Sequence, residues 1–464
     1  MVSLARIVSA VCAFALFWFV SRQSVAQLGA FRTLFVYFLM VEFLPLLGMN
    51  QFVIREIAKT PDRINDYLLH SFLFSLIVSL GVAGCLAAVS VSGGYSPIVA
   101  RGLLLLVAAV PATAAVLCLQ SVLVAVGRGG EMGAVQAIEA VTRTAAGFVL
   151  IVVRPDILWV IAGFVVIRWL VVAAYWRRIR PMTRLHPWRI SSGLMKTFFR
   201  TTPPFAGILL LFLAIRFAGQ MMVPWMAGDE AAGFFAIAYQ FLDLILLAPT
   251  AFAINLMPLL SRRAVRSLSE MNRTGGQAMK LMAALIVPVT VLIFVHGREI
   301  ILLIFGPRYA PAVLPVRIAV WSGLTFTLDQ ILSITLIAAG RQRTDLAALA
   351  VGALVTVAAM FVLISRYGVT GAAAGLLVGT SCLFAARYAL YHFTLYPFPL
   401  PAILWRPLLA GGWMAAVMEF LTVIRAGIMI SGPAGVGVYF LMLYLLGYLR
   451  PEERARFKQL FTEG

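Results

Sequence analysis

Apolar residues along this chain come in long unbroken runs, separated by short polar joints, and the strict alternation of a half-buried strand is absent. Fourteen such runs predict transmembrane helices near 4–21, 32–50, 67–92, 101–126, 133–153, 157–176, 201–224, 233–260, 281–305, 312–338, 346–364, 370–390, 407–424 and 432–448. About twenty residues of helix rise roughly 30 Å, the thickness of a bilayer's hydrocarbon core. Strands of a membrane barrel are shorter and alternate in polarity, so the pattern predicts an all-α membrane protein. The first run follows Arg6 and has the length of a signal peptide. No small-x-small cleavage site follows it and further spans do, so it is read as the first helix.

Composition sharpens this picture. Of 464 residues, 62% are hydrophobic and 12% charged, too apolar for the surface of a soluble domain, and no polar stretch is long enough to form one. A net charge of +19 on a soluble protein would suggest nucleic acid; here the basic residues gather in every second loop, and no nucleic-acid partner is expected. The loop after the sixth span carries Arg177, Arg178, Arg180, Arg184, Arg189, Lys196 and Arg200. The loop after the eighth carries Arg262, Arg263, Arg266, Arg273 and Lys280, and the tail adds Arg450, Arg454, Arg456 and Lys458. The joint after the seventh span has Asp229 and Glu230 and no basic residue. Basic segments resist translocation, so both termini are expected in the cytoplasm, with the chain in a bacterial inner membrane. Cys12, Cys85, Cys118 and Cys382 lie in apolar segments without paired spacing, which supports neither a disulfide framework nor a metal site.

The chain also repeats itself. Leu123–Ile151 aligns without gaps on Leu336–Ile364, with about thirteen of twenty-nine positions identical and an Ala-x-Gly-Arg turn at the same place in both copies. Copies six spans apart run in the same sense, which predicts two related six-helix lobes. The expected organisation is an N-terminal lobe at 1–180, a basic linker at 181–200, a second lobe at 201–395, and two additional helices with a tail at 396–464.

Three stretches carry a family resemblance: GMNQFVIREIAKTPD at 48–62, IFGPRYAPAVLPVRI at 304–318 and RYGVTGAAAG at 366–375. Each is similar to a motif of the Wzx-type polysaccharide flippases, in the superfamily that also holds MATE exporters and MurJ-type lipid II flippases. The stretch Gly233–Gln240 resembles the same family's Gly-x-Tyr-x-x-Ala. Two positions depart from the pattern: an N-terminal Gly-Pro-x-x-Phe-Gly-x-Tyr survives only as LGAFRTL at 28–34, and Arg216 and Gly219 stand where the seventh span usually has Asn or Asp. The resemblance implies a V-shaped pair of lobes in an alternating-access arrangement around a central cavity. It implies as cargo an undecaprenyl-pyrophosphate-linked oligosaccharide, with membrane lipids and polysaccharide polymerase or other assembly proteins as partners.

Ionisable groups inside spans are costly in hydrocarbon and are the candidate functional residues. For the substrate's phosphates these are Arg216, Gln220, Arg143, Arg32 and Arg317; for a coupling ion, Asp243, Asp329, Glu139 and Glu42. Arg168, Arg387 and Glu419 complete the set, with Arg32, Arg168, Arg317 and Arg387 near enough to span ends to snorkel. Arg216 has two readings: a planar donor fork for phosphate, sharing a helix face with Gln220, or a structural partner of Asp243. Glu139 and Arg143 are spaced for an intrahelical ion pair. Pro45, Pro111, Pro203, Pro204, Pro249, Pro258 and Pro288 lie in or beside spans as candidate kinks. No P-loop, Gly-x-Ser-x-Gly, His-Glu-x-x-His or Cys-x-x-Cys occurs, so neither an enzyme nor a cofactor is expected. The alternatives are a lipid II-type flippase and a MATE-like cation-coupled exporter of small molecules, which calls for an acidic cavity and is opposed by the intramembrane arginines; a membrane polymerase or acyltransferase calls for a large periplasmic loop, and none is present in this sequence.

Overall fold

In lipid a backbone has no hydrogen-bonding partner but itself, so runs of this length close their bonds internally as helices. The computed structural model describes residues 2–183, 190–395 and 399–448. Arg184, Arg189 and the tail residues Arg450, Arg454, Arg456 and Lys458 lie outside the described residues. Within them are fourteen α-helices and no strand: α1 Val2–Ser21, α2 Val25–Phe43, α3 Asn50–Lys59, α4 Ile64–Val91, α5 Pro97–Val107, α6 Val110–Ala125, α7 Gly129–Val153, α8 Ile157–Thr183, α9 Ser192–Arg266, α10 Leu268–Ile304, α11 Val313–Ala338, α12 Gln342–Thr394, α13 Leu400–Val423 and α14 Ile428–Leu445.

Ten of these helices are long and apolar enough to cross a membrane, and α5 and α6, bent by 48° at the break between them, are so when taken together. Pro111, in the first turn of α6, cannot extend a ladder begun in α5 and places the bend. Two helices each carry a pair of predicted spans. Gly228 breaks α9 at φ 84°, ψ 175°, and Gly368 breaks α12 at φ 56°, ψ −130°. Both glycines adopt backbone that a side chain would oppose. With α1, every predicted span overlaps helix, though not every one is a single helix.

The second predicted span needs correction. The run 32–50 is not one helix: α2 starts earlier, at Val25, where the Ser24 side chain caps the backbone amide of Gln27, and stops at Phe43. Residues 44–49 turn, with Leu47 and Gly48 at φ 46° and 78°, before α3 resumes. Hydropathy reads through this interruption because Leu44, Pro45, Leu46 and Leu47 are as apolar as the helix before them.

The chain forms two compact units. The first comprises Met1–Leu213 and Gln220–Gly233, the second Ala214–Gly219 and Phe234–Gly464. In the first unit, the joints after odd-numbered spans meet at one end: Gln27 Nε2 donates to the Pro155 carbonyl at 3.4 Å, and the Tyr95 hydroxyl to the Met221 carbonyl at 2.9 Å. Segments at the other end of those spans also meet, where Asn65 donates to the Thr183 carbonyl at 2.9 Å and the His70 ring engages Ser191. In the second unit, Gly371, Gly375 and Gly379 form a small-residue stripe one helical turn apart. A Cβ on them would fall 1.9 Å from the Leu363 carbonyl oxygen, 2.9 Å from Met360 Cα and 2.2 Å from Thr356 Oγ1. The two halves of α12 therefore pack backbone to backbone.

The internal repeat is visible as local geometry. Gly127 and Gly340 both take left-handed backbone, at φ 78° and 73°. Arg128 N bonds to Leu123 O at 2.8 Å, as Arg341 N does to Leu336 O at 2.9 Å. Gly127 N bonds to Val124 O at 3.1 Å, as Gly340 N does to Ile337 O at 3.0 Å. This is the same glycine-terminated helix end, bond for bond.

Candidate functional site

Packing α7 and α8 side by side places Arg168 opposite Glu139, with its Nη1 2.7 Å from Glu139 Oε1. The same guanidinium donates from Nε to Thr113 Oγ1 at 3.1 Å and reaches Glu42 Oε1 at 3.2 Å from Nη2. Arg143 completes the group, 3.5 Å from Glu42 and 3.8 Å from Glu139. The rings of Phe38 and Phe164 lie against the two guanidinium groups. Two carboxylates face two arginines, and the cluster is electrically balanced. Glu42 is the penultimate residue of α2, so the turn at 44–49 lies immediately beside it.

This arrangement corrects one expectation and adds to another, since the Glu139–Arg143 ion pair is present at 3.8 Å. Arg168 does not snorkel: it is buried at 4% exposure. Glu139 takes its close partner from the neighbouring helix, because α8 presents a guanidinium at hydrogen-bonding distance while Arg143 on its own helix stays 3.8 Å away.

Arg32 and Gln220 meet elsewhere in the first unit. Arg32 Nε donates to Gln220 Oε1 at 2.5 Å, and both side chains are buried. Arg32, also expected to snorkel, is instead held by a neutral amide. Nearby, within the first unit, α2 and residues 229–233 of α9 approach so closely that a Cβ on Gly29 would fall 1.8 Å from the Asp229 carbonyl oxygen, and one on Gly233 2.2 Å from that of Val25. The two glycines belong to the LGAFRTL and Gly233–Gln240 stretches, so both segments carry a helix-to-helix contact.

In the second unit Arg216 bonds to Asp243, and the Tyr239 hydroxyl donates to the Arg216 carbonyl at 3.0 Å while its ring lies 5.4 Å from the guanidinium. The Arg216 and Asp243 side chains remain 22% and 27% exposed. The other candidates of this unit are more enclosed or differently engaged. Arg387, 2% exposed and not snorkelling, contacts Asp329 and lies 2.9 Å from Asp345 Oδ1. Arg317 donates to the Val295 carbonyl at 3.0 Å, and Glu419 is exposed. Asp345 escaped sequence reasoning because it sits in the first turn of α12, one residue before the apolar run. The available signal was its place between the Arg341 turn and that run.

Among the described residues no group of three or more histidine, cysteine or carboxylate side chains has the arrangement to hold a metal. What the arrangement offers is charge recognition: an enclosed, charge-balanced cluster in the first unit, an enclosed arginine with two aspartates in the second, and one partly open arginine–aspartate pair at Arg216.

A sequence profile described as "Polysaccharide biosynthesis protein" matches residues 23–314. No curated protein matches in sequence. Among solved structures, the fold is similar to that of the lipid II flippase MurJ in an inward closed conformation, with a TM-score of 0.69 at 15% identity, covering 96% of this chain and 98% of that one. An inward-facing multidrug resistance MATE family transporter of the MOP superfamily also has a TM-score of 0.69, at 12% identity, covering 83% of this chain and 94% of that one. A MOP superfamily transporter from Pyrococcus furiosus, described as having a binding pocket of reverse polarity, has a TM-score of 0.61 at 13% identity, covering 84% and 92%.

Proposed function

The chain belongs to the polysaccharide biosynthesis protein family, and on that premise we propose that it is a flippase, not an enzyme. Its cargo is an undecaprenyl-pyrophosphate-linked oligosaccharide, carried from the cytoplasmic to the periplasmic leaflet of the bacterial inner membrane. Family membership is the observation that carries this reading. Arginine in the membrane interior supports it, because a planar donor fork matches phosphate oxygens two at a time.

Arg216 is the arginine best suited to meet the cargo. A guanidinium that receives a phosphate must be reachable, and Arg216 keeps more exposure than the enclosed Arg168 or Arg387. In the empty protein Asp243 neutralises it; the pyrophosphate then displaces Asp243 and takes over the fork. Arg32, Gln220, Arg143 and Arg317 are positioning residues of the two lobes in this reading. An exporter of small cations would place a carboxylate in the open position without an arginine on it.

The test is reconstitution into liposomes with an undecaprenyl-pyrophosphate-linked oligosaccharide in the outer leaflet, reading its protection from a membrane-impermeant glycosidase. Wild-type protein is expected to protect the glycan and Arg216→Ala to lose this at normal abundance, with Arg216→Lys intermediate. Loss of folded protein in Arg216→Ala, relieved by adding Asp243→Ala, would assign the pair a structural role instead. Efflux of a cationic dye without glycan protection would replace the flippase reading with the exporter.

A further inference from the structure

The two halves of the chain place a buried arginine on their sixth and twelfth spans, yet balance it differently. Around Arg168 stand two glutamates and a second arginine, Arg143, and the charges cancel. Around Arg387 stand Asp329 on α11 and Asp345 on α12, with no second cation. Among the described residues, these are the charged groups that face Asp329 at ion-pair distance from the helices packed against it. With every group ionised, that triad carries one uncompensated negative charge. Arg387 and Asp329 are 2% and 4% exposed, where solvent does little to offset it.

The hydrogen bonding locates the imbalance. Asp329 Oδ2 contacts Arg387 Nη1, while Asp329 Oδ1 is buried and accepts no hydrogen bond; Asp345 Oδ1 is also buried without one, but it lies 2.9 Å from Arg387 Nε, facing the guanidinium. A buried acceptor without a donor is the position at which a proton gains most. Asp345 is the poorer site for it. Its free oxygen lies beside the Arg387 guanidinium, and its side chain is 13% exposed against 6% for Asp329, so water reaches it more readily. A metal cation in the same place would meet Arg387 at contact distance.

We propose that Asp329 carries a single exchangeable proton on Oδ1, making the Asp329–Arg387–Asp345 triad the proton site of this transporter. Binding takes one proton from water past Asp345 and brings the triad from one net negative charge to none; release reverses this. Glu42 and Glu139 in the first unit are each matched by an arginine. Calling the proton a coupling ion rests on the transporter reading; its presence on Asp329 does not.

Infrared difference spectroscopy on the reconstituted full chain, stepped between alkaline and acidic buffer, tests this without any cargo. Wild type is expected to show one protonated-carboxyl band that appears as pH falls and does not respond to sodium at fixed pH. Asp329→Asn removes the band. Asp345→Asn also removes it, although Asp329 is still present, because one aspartate and one arginine then balance without a proton. Glu42→Gln and Glu139→Gln leave it in place. A wild type without the band, a band that persists in Asp345→Asn, or a band displaced by sodium would each overturn the proposal. If the band behaves as expected while glycan protection does not change with a pH step across the membrane, the proton site stands and its coupling to transport falls.

Discussion

Arg168 on α8 lies 2.7 Å from Glu139 on α7, with both side chains 5% exposed, in a cluster whose charges sum to zero. Removing one member strands its partner in a medium that solvates charge poorly. Arg168→Met is therefore expected to cost about 3–5 kcal/mol. Adding Glu139→Gln restores the balance between Glu42 and Arg143 and should recover much of the loss. Thermal unfolding of the purified protein in detergent measures both. Strictly additive losses would mean that the groups do not form one electrostatic unit.

Gly127 and Gly340 offer a cleaner test of the repeat. Neither has an atom within 4 Å of where a Cβ would stand, so any penalty for alanine is one of backbone conformation alone. Left-handed backbone costs an ordinary residue about 1–2 kcal/mol. Gly127→Ala and Gly340→Ala should destabilise by similar amounts, while asparagine, which tolerates this region better, should cost less. A penalty at one turn only would show that the two copies no longer share the same local constraint.

Much of the fold was legible because a long apolar run has few options in lipid: it must become a helix, and the Ala-x-Gly-Arg turns then show the duplication. The interruption at 44–49 was not legible, since Pro45 and the leucines around it keep the run apolar while leaving the helical ladder. The site was legible only as a set of costly charges. Spacing suggested Glu139 with Arg143 and Arg216 with Gln220. Tertiary packing keeps Arg143 within 3.8 Å of Glu139 but gives Glu139 the nearer Arg168 and Gln220 to Arg32, while Arg216 bonds Asp243, the partner expected as the alternative to phosphate. Which helices adjoin is a long-range property that no short window of sequence carries.

Close backbone approach yields a steric prediction. A Cβ on Gly29 would lie 1.8 Å from the Asp229 carbonyl oxygen and 2.6 Å from the Gly233 amide nitrogen, both main-chain atoms that cannot rotate away. Gly29→Ala should force α2 off residues 229–233 of α9 and cost about 3 kcal/mol or more. Gly84, itself exposed on α4 with nothing within 4 Å, provides the control, where alanine should be neutral or slightly stabilising. Equal yields of folded protein from both variants would contradict the contact.

Orientation is the last expectation open to direct measurement. Within the first unit, the contacts of Gln27 with Pro155 and of Tyr95 with Met221 gather one set of joints, and those of Asn65 with Thr183 and of His70 with Ser191 gather the other. The second set adjoins Arg177, Arg178 and Arg180, whereas the first adjoins Asp229 and Glu230. Since basic segments are retained on the cytoplasmic side, the first set is expected to face the periplasm. In a background without native cysteines, single cysteines at the exposed positions Ser92 and Glu230 should react with a membrane-impermeant thiol reagent added to intact cells. Cysteines at Asp62 and Arg180 should react only after the membrane is opened. The reverse pattern would invert the topology and turn the proposed direction of transport around; mixed labelling within one set would instead break the contacts that define each end of the unit.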